Sequence, residues 1–491
     1  MINLEKKSIW STELKENQFK KLNEDLEVDV LIIGGGMTGI STAYHLKDSN
    51  LKVCLVERNF IASGVSSRTT GKLTYLQNLI YSKLEDVYSF DVAKKYYESQ
   101  KYAIGLVREI IKDNNIVCDY IKQKSYLFLS GKFDKDKILK EKELLKKFGA
   151  KVMDVKKLPI EIFNYYGISV SDTYYFHPVK YLNALAKVVS NSRINIFERT
   201  NIINVKNENE KIICYTENNK ITAKKVVFAC HYPFFVIPYF FPIKAYLEQS
   251  YISASKVLEN KNVSGINTSN NSTSFRFYKE KNNNYLIYLF GSHNLKDKFD
   301  YKDNFKKMIN NSKKLDLNPS YIWSNVDIIT NDNLPYIGEI EKNMYIATGY
   351  NTWGMTNGSL AGEIISDLIQ NKKNKYASLF NPKRKLTLST FLYNSFCSLK
   401  PFIQNKIDKN KSFYSNNVIF KKINGVDVGI YIDKNGNKHV VYNKCPHLKC
   451  SLIFNEEELT WECPCHSSKF DLDGKCIKGP SKYNISYKEK E

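Results

Sequence analysis

The sequence predicts an α/β domain built on a parallel sheet, followed by a small all-β domain at the carboxyl end. Three observations support this prediction. An apolar strand, a glycine-rich turn, a helical pattern and a second apolar strand follow one another from Val28 to Glu57. Short segments of alternating polarity begin near Ser412. Five of the ten cysteines fall between Cys445 and Cys476, a density that points to metal in an intracellular protein.

The length and the apolar pattern limit the class of protein. At 491 residues the chain exceeds the size at which one hydrophobic core stops growing, so more than one domain is expected. No stretch reaches the roughly 20 apolar residues that a membrane-spanning helix requires. The start, Met1 to Leu22, has no apolar run of the signal-peptide type. We therefore expect a cytoplasmic protein without an integral membrane segment.

The formal net charge of +22 raises the question of a nucleic-acid partner. The lysines are scattered along the chain in short groups such as Lys372–Lys373, and no nucleic-acid-binding motif accompanies them. A chain that is rich in lysine throughout explains this pattern better than a binding surface does, so no nucleic-acid partner is predicted. The charge can still attract an acidic protein.

The glycine-rich turn has the chemistry of a nucleotide site. Gly34 permits the tight turn, Gly36 lets a pyrophosphate approach the backbone, and Gly39 lets the helix lie close to the strand. The start of the helix then presents unpaired N–H groups to the phosphates. Glu57, at the end of the second strand, stands where an acid would bind a ribose hydroxyl. This pattern alone leaves FAD and a nicotinamide cofactor as alternatives.

Two later stretches carry a family resemblance that favours FAD. The loop Ala62–Lys72 resembles the segment beside the flavin in the D-amino-acid oxidase and glycine oxidase superfamily. Asp332–Gly338, followed by Met344–Tyr350, resembles a late flavin-binding segment of the same superfamily. The small residues Asn351–Gly358 then precede a helical pattern, whose positive end can stabilise an anionic reduced flavin. The resemblance implies a Rossmann-like FAD-binding domain of the glycine oxidase type.

The cofactor-binding residues predicted from the turn and the resemblance are Gly34, Gly36, Met37, Thr38, Gly39, Glu57, Arg58, Thr69, Thr70, Gly71, Lys72, Gly349, Gly354, Met355 and Thr356. Between the flavin segments, about residues 75–330 are expected to build a mixed-sheet, substrate-facing layer. His177–Ala186 looks like a helix of that layer, and Lys224–His231 like a buried strand that returns to the first sheet. Tyr285–Phe290 and the aromatic run Phe234–Phe241 suggest further sheet and core.

No catalytic base stands out in the sequence. His177, His231 and His293 are candidates, but a lone histidine beside apolar residues is more often structural. Flavin enzymes of this type can oxidise an amine by hydride transfer, with the cofactor carrying the chemistry. The catalytic residues are therefore left unassigned.

The last hundred residues divide into a connector and a compact domain. We predict an oxidoreductase domain over 1–380, a linker over 381–411 and a small β domain over 412–491. Within the linker, Leu386–Ile407 reads as a helix packed on either domain, with a membrane-touching surface helix as the alternative. In the β domain, Asp433–Asn437 has hairpin-turn chemistry.

Two short motifs in this β domain predict a metal centre. Cys445-x-His447 and Cys463-x-x-His466 supply two thiolates for one iron and two imidazoles for the other, the arrangement that separates Rieske [2Fe–2S] centres from four-cysteine clusters. Disulfides or a zinc ion are the alternatives for such a set. The order of the ligands favours the cluster.

The resemblance to Rieske domains extends to neighbouring residues. It implies a disulfide between Cys450 and Cys465, and a hydrogen bond from Ser468 to a cluster sulfur, which would raise the reduction potential. Ser467 replaces the usual glycine, and Phe470 stands where high-potential members have tyrosine.

Two further features complete this comparison. Gly479-Pro480-Ser481 resembles the proline loop that covers the cluster in Rieske domains. Cys476 remains as a spare thiol.

Together, the motifs resemble bacterial FAD-dependent oxidoreductases of the D-amino-acid oxidase superfamily with a C-terminal Rieske domain. The resemblance implies an enzyme that oxidises a small amine or amino-acid-like substrate and passes electrons singly through the [2Fe–2S] cluster to an acceptor protein or quinone. The alternatives are an NAD(P)H-linked reductase component, a Rieske oxygenase, and a non-catalytic redox sensor or zinc-stabilised interaction protein. A Rieske oxygenase needs a second metal motif, and a nicotinamide-linked reductase a second glycine fingerprint; neither pattern occurs in the sequence.

Overall fold

A computed structural model describes residues 4–130, 135–160, 165–208, 210–232, 244–269, 273–295, 301–384 and 417–487. The aromatic run Phe234–Phe241 and the predicted helix Leu386–Ile407 lie outside the described residues, as does most of the linker 381–411.

The first sheet has eight strands in the described chain, and its centre is parallel. Its bounds are β1 Leu26–Ile33, β2 Val53–Val56, β7 Asn195–Phe197, β8 Asn204–Glu208, β9 Lys211–Tyr215, β10 Lys220–Phe228, β16 Tyr336–Glu341 and β17 Met344–Thr348. The order is β16-β17-β10-β1-β2-β7, with β16 antiparallel at one edge and the β8–β9 hairpin attached to β10. The predicted strand at Val53–Val56 is found with the same bounds, and the returning strand is β10.

Helices cover this sheet. The described helices are α1 Met37–Leu46, α2 Ile80–Val87, α3 Phe90–Asp113, α4 Lys135–Lys147, α5 Pro178–Ser190, α6 Tyr301–Lys314 and α7 Gly354–Ile369, with 3-10 turns at Ile9–Glu13 and Val65–Arg68. Strand β1 is almost continuously apolar because both of its faces are buried; Val30, Leu31 and Ile32 have no exposed surface. Helices α1 and α7 pack closely, since a Cβ on Gly362 would lie 2.4 Å from the Ser41 Cβ.

The second sheet forms the predicted mixed layer. Its bounds are β3 Lys72–Leu73, β4 Ile121–Ser130, β5 Val152–Asp154, β6 Tyr165–Tyr175, β11 Ala245–Val257, β12 Val263–Asn267, β13 Thr273–Glu280, β14 Asn283–Asn294 and β15 Pro319–Thr330. The order is β15-β11-β14-β13-β12-β4-β6-β3, with β5 beside β6. All neighbours are antiparallel except β12 and β4. The predicted helix at His177–Ala186 is α5, which begins one residue later.

The C-terminal module, residues 417–487, consists of two small antiparallel sheets. The first contains β18 Val418–Ile423, β19 Val426–Ile432 and β20 Lys438–Tyr442, and the second β21 Ile453–Asn455, β22 Thr460–Glu462, β23 Lys469–Phe470 and β24 Cys476–Lys478. The predicted turn at Asp433–Asn437 joins β19 to β20, with Gly436 at φ +83°. Trp461 and Phe470 are fully buried in its core. This confirms the predicted small all-β domain.

Among the described helices, none combines the length and the apolar character needed to cross a bilayer.

Candidate functional site

A central cavity of about 440 Å³ lies where the first sheet, the second sheet and the C-terminal module meet. Eleven of the fifteen residues predicted to bind the cofactor line it: Gly34, Gly36, Met37, Thr38, Glu57, Arg58, Thr69, Thr70, Lys72, Gly354 and Met355. The other four, Gly39, Gly71, Gly349 and Thr356, are not among the residues that line it. The structure thus brings segments from three distant parts of the chain to one cavity.

The turn between β1 and α1 has a shape that only glycines permit. Gly34 has φ +117°, a backbone conformation that residues with a Cβ rarely adopt. A Cβ on Gly39 would lie 1.9 Å from the Gly34 carbonyl oxygen, so α1 can start this close to the strand only without that side chain. Gly36 is the residue before the first turn of α1 and lines the cavity. The amino end of α1 therefore faces the cavity, as a dinucleotide pyrophosphate requires.

Glu57 is held at the end of β2 by backbone amides. Its Oε2 accepts a hydrogen bond from the Gly35 N–H at 2.7 Å, and its Oε1 accepts one from the Asn59 N–H at 2.8 Å. Burial raises the pKa of Glu57, while these two amides oppose that rise. A carboxylate has about four acceptor sites, so lone pairs remain for a ribose hydroxyl.

The loop before β3 is fixed by two side chains that sequence reasoning missed. Trp10 donates its indole N–H to the Thr69 carbonyl at 2.6 Å. Arg276, which has no exposed surface, donates from Nη1 to the carbonyls of Thr70 and Gly71 at 2.6 and 2.9 Å. Neither residue belongs to a local motif, so only their long-range positions reveal the role.

Lys72 is the first residue of β3 in the second sheet, and it lines the cavity. Its Nζ donates to the Gly265 carbonyl at 3.2 Å and to the Ser274 hydroxyl. Burial, with a smaller contribution from Arg276, lowers the pKa of Lys72 to about 7. The cavity therefore contains an amine that changes charge near neutral pH.

The late segment closes the opposite wall. Tyr350 and Thr38 share a hydrogen bond of 2.6 Å between their hydroxyl groups, which ties the end of β17 to α1. Helix α7 begins at Gly354, beside the cavity. Thr356, in its first turn, is fully buried, and its Oγ1 has no hydrogen-bond partner in the described part of the chain. A second helix start thus lies beside the cavity, as the flavin's pyrimidine edge requires.

The three candidate histidines occupy different places. His231 lines the cavity, and burial lowers its pKa to about 3, so the ring is neutral. His177 caps α5, accepting from the Lys180 N–H at 3.3 Å, and its ring packs against Trp10. His293 stacks on Tyr251. Neither of the latter two lines the cavity.

Two acidic residues of the second sheet also line the cavity and were missed by sequence reasoning. Glu248 lies on β11 and Asp327 on β15. Burial, above all, raises the pKa of Asp327 to about 7, and the nearby Glu248 carboxylate adds to this rise. One feature of the sequence could have indicated Asp327 as a site residue. It is the only charged residue in β15, whose other residues are apolar or polar and uncharged.

The two cysteine–histidine motifs meet at one end of the C-terminal module. Cys445 and Cys463 are buried, and the rings of His447 and His466 lie 4.9 Å apart between centroids. A disulfide between Cys450 and Cys465, with an S–S length of 2.09 Å, joins the two loops, as the resemblance implied. The four predicted ligands therefore come together.

The chemistry of these donors fits a group with two sulfur and two nitrogen ligands. A hydrogen bond from the Cys463 thiol is the main cause that lowers the pKa of Cys445 to about 7, against its burial. Both ring nitrogens of His447 are shielded, yet neither has a hydrogen-bond partner among the residues described. The Cys450, Cys463 and Cys465 sulfurs also lie within 4.8 Å of one another, but the disulfide leaves only Cys463 as a thiol there.

The residues around this centre have defined partners. Ser468 forms a side-chain hydrogen bond with Cys445, a predicted ligand, and accepts from the Ser481 N–H at 2.9 Å. Cys476, the predicted spare thiol, accepts from Arg58 Nη1 at 3.1 Å. The Gly479–Ser481 loop therefore reaches both the centre, through Ser481, and the central cavity, through Gly479 and Pro480.

A buried charge network joins the C-terminal module to the second sheet and the cavity loop. Arg68 Nη1 lies 2.8 Å from Glu458 Oε2, and the Ser324 N–H donates to Glu458 Oε1 at 2.7 Å. Lys469 Nζ lies 3.0 Å from Glu458 and 2.8 Å from Glu462. Burial alone would raise the pKa of Glu458, but Arg68 and Lys469 hold it well below its usual range.

Comparisons with known proteins agree with this architecture. A model of the FAD dependent oxidoreductase family matches residues 29–368. The chain belongs to this family. A Rieske [2Fe-2S] domain model matches residues 404–487, so this family member carries FAD and a [2Fe–2S] cluster. A putative Rieske 2Fe-2S iron-sulfur protein of Bacillus subtilis is 30% identical over 96% of this chain and 95% of its own length.

Other relatives match about three quarters of the chain. The gamma-glutamylputrescine oxidoreductase of Escherichia coli is 23% identical over 74% of this chain and 88% of its own. Glycine oxidase from Geobacillus kaustophilus has a TM-score of 0.60 at 15% identity, covering 74% of this chain and 100% of its own. L-proline dehydrogenase from P. horikoshii also has a TM-score of 0.60, at 18% identity, over 73% and 98%. These structures show the glycine oxidase type of fold.

Proposed function

We propose that this flavoprotein oxidises a small amine or amino-acid-like substrate and passes the electrons one at a time through the cluster to an acceptor protein or quinone. The observation that carries the proposal is the contact between the two redox modules. Ile477, Lys478, Gly479 and Pro480 of the C-terminal module form part of the wall of the central cavity. An iron–sulfur module with no role in electron transfer would not need to contact the cavity proposed to bind the flavin.

Further contacts support a short route between the modules. Asn59 Nδ2 donates to the Ile477 carbonyl at 2.9 Å, and Asn201 Nδ2 donates to the Lys482 carbonyl at 3.0 Å. The ring of His466, a proposed ligand, packs against Tyr232, with centroids 5.2 Å apart. The proposed ligand set is Cys445, His447, Cys463 and His466.

The overall chemistry balances in electrons and protons. An amine R–CH₂–NH₃⁺ becomes R–CH=NH₂⁺ by losing two electrons and two protons, and water then hydrolyses the imine. FAD supplies the two-electron acceptor, and the cluster supplies a one-electron exit. The protein positions the substrate and excludes water, and Lys72 is a cavity residue that can accept a proton in its neutral form.

The names of the relatives agree with an amine substrate. One relative is a gamma-glutamylputrescine oxidoreductase, and structural neighbours include a glycine oxidase and an L-proline dehydrogenase. We propose the boundaries 1–380, 381–411 and 412–491 for the oxidoreductase domain, the linker and the iron–sulfur domain. We also propose a cytoplasmic location, which the buried thiols of Cys54, Cys118 and Cys214 support.

A pair of cysteine variants tests the relay. Cys445→Ser removes a proposed ligand, and Cys476→Ser changes a nearby cysteine that is not one. With an oxidisable amine, Cys445→Ser should still bleach the flavin and reduce an artificial dye, but reduction of the physiological acceptor should fall at least tenfold. Cys476→Ser should keep both activities. Equal activity of Cys445→Ser and wild type with both acceptors would contradict the relay.

A further inference from the structure

Glu248 and Asp327 face each other across two neighbouring strands. They are direct partners in the antiparallel register of β11 and β15, and both side chains line the central cavity. Side chains at directly opposite positions lie close together, and like charges placed there destabilise a sheet. A pair of carboxylates in this position is therefore costly unless a cation shares it or Asp327, whose pKa is raised, holds a proton.

A third acceptor completes the group. Asn325, two residues before Asp327 on the same face of β15, lines the cavity and is 5% exposed. Its Nδ2 donates to Asp327 Oδ2 at 3.1 Å, which fixes the amide so that Oδ1 is the remaining polar atom. No described residue donates a hydrogen bond to that Oδ1. Glu248, Asp327 and Asn325 thus place three hydrogen-bond acceptors on one wall of the cavity. The Asn325 Oδ1 has no donor among the described residues.

Three of the cations that line the cavity, Arg68, Lys72 and Lys478, have other partners. Arg68 pairs with Glu458, and Lys72 donates to Gly265 and Ser274. Lys478 donates to the Ser467 hydroxyl at 3.3 Å, and within the described chain no ion pair of 4.0 Å or less joins it to either carboxylate. Its charge lowers the repulsion between Glu248 and Asp327 from a distance, but it does not occupy the space between them.

We propose that Glu248, Asp327 and Asn325 form an ammonium subsite, and that the substrate is a cationic amine held there by its positive charge. An alkylammonium group has donors and no acceptor, which complements two carboxylates and an amide oxygen. The inference rests on the proposed function, because it names the substrate class of the same cavity. A substrate recognised only through a carboxylate would be repelled by this wall.

Binding of an ammonium ion that cannot be oxidised tests the subsite. The full-length protein, loaded with FAD and cluster, is titrated calorimetrically with tert-butylammonium, which has N–H donors but no oxidisable α C–H bond, at constant ionic strength. Pivalate and tert-butyl alcohol, of similar shape but negative and neutral, serve as matched ligands. We expect the wild type to bind tert-butylammonium at least tenfold more tightly than either. Equal binding of the three, or tighter binding of pivalate, would overturn the proposal.

Isosteric variants assign the binding to the pair. Asp327→Asn and Glu248→Gln should each weaken tert-butylammonium binding at least tenfold, while Glu280→Gln, outside the cavity, should not change it. Because the substitutions remove like-charge repulsion, the variants should fold with full FAD content and should lose the rise in Tm that the ion causes in wild type. Wild-type affinity in both variants would contradict the assignment. These binding measurements need no electron transfer, so they can succeed even if the proposed relay fails. The relay can likewise be confirmed even if the ammonium subsite is not.

Discussion

Arg68, on the loop beside the central cavity, forms an ion pair of 2.8 Å with Glu458 of the C-terminal module. The glutamate side chain is only 4% exposed, and Lys469 contacts the same carboxylate. Charges buried at an interface are costly unless they are paired, so this network stabilises one docked position of the module. The iron–sulfur module is therefore bound in place on the flavin domain by specific contacts.

Glu458→Gln should weaken this docking. The change removes the carboxylate that Arg68 and the buried Lys469 share; Lys469 keeps its contact with Glu462, and breaking a buried pair costs about 3 kcal/mol. Urea unfolding of the loaded protein should show this loss. Glu457→Gln is the matched control, because Glu457 pairs with the partly exposed Lys6 and should cost less than about 1 kcal/mol. Similar losses in both variants would show that the buried network does not hold the module.

The same pair predicts a dependence on pH. Because the pKa of Glu458 is lowered in the folded protein, its contribution is fully present above the ordinary glutamate pKa. It should be lost only as the pH falls below about 4 toward the lower folded value. The difference in unfolding free energy between wild type and Glu458→Gln should be constant from pH 7 to 5 and shrink in acid. A difference in unfolding free energy that grows in acid would contradict a lowered pKa of Glu458 in the folded protein.

Gly39→Ala should abolish FAD binding. The new Cβ would lie 1.9 Å from the Gly34 carbonyl oxygen, so the turn that faces the pyrophosphate has to open. The flavin content of the purified chain, measured by absorbance, should fall to near zero while the cluster absorbance persists. Gly105→Ala, in α3 with no atom within 4 Å of the new Cβ, should bind FAD like wild type. Full flavin content in Gly39→Ala would refute the proposed role of this turn.

Ser468→Ala should lower the reduction potential of the cluster. The serine hydroxyl bonds the Cys445 sulfur, and hydrogen bonds to cluster sulfurs favour the reduced, more negative state. A redox titration followed by electron paramagnetic resonance would show the shift. Ser451→Ala, whose hydroxyl accepts from Lys444, is the control and should leave the potential unchanged. An unchanged potential in Ser468→Ala would contradict the proposal that the serine hydroxyl raises the reduction potential of the cluster.

Local patterns explain why much of the site could be predicted from the sequence. The turn from Gly34 to Gly39 and the acid Glu57 follow from one strand–helix–strand unit, whose conformation depends on adjacent residues. The same holds for the two motifs that begin at Cys445 and Cys463, because each loop carries its ligands at short spacing.

The remaining site residues depend on contacts between distant parts of the chain. Glu248 faces Asp327 only because β11 pairs with β15 in one register. Arg276 reaches the loop at Thr70 across 206 positions, and Glu458 meets Arg68 across 390. Local sequence patterns do not reveal such pairings. Sequence reasoning therefore missed both the Glu248–Asp327 pair and the ion pairs around Glu458.

The central claim is that electrons taken from an amine at the flavin pass into the cluster. The most direct test mixes the oxidised protein anaerobically with an oxidisable amine, freezes the sample within one turnover, and records flavin absorbance together with a low-temperature electron paramagnetic resonance spectrum. The account predicts bleached flavin and the rhombic, low-average-g signal of a reduced histidine-ligated cluster. Bleached flavin beside a cluster that stays oxidised and silent would contradict it.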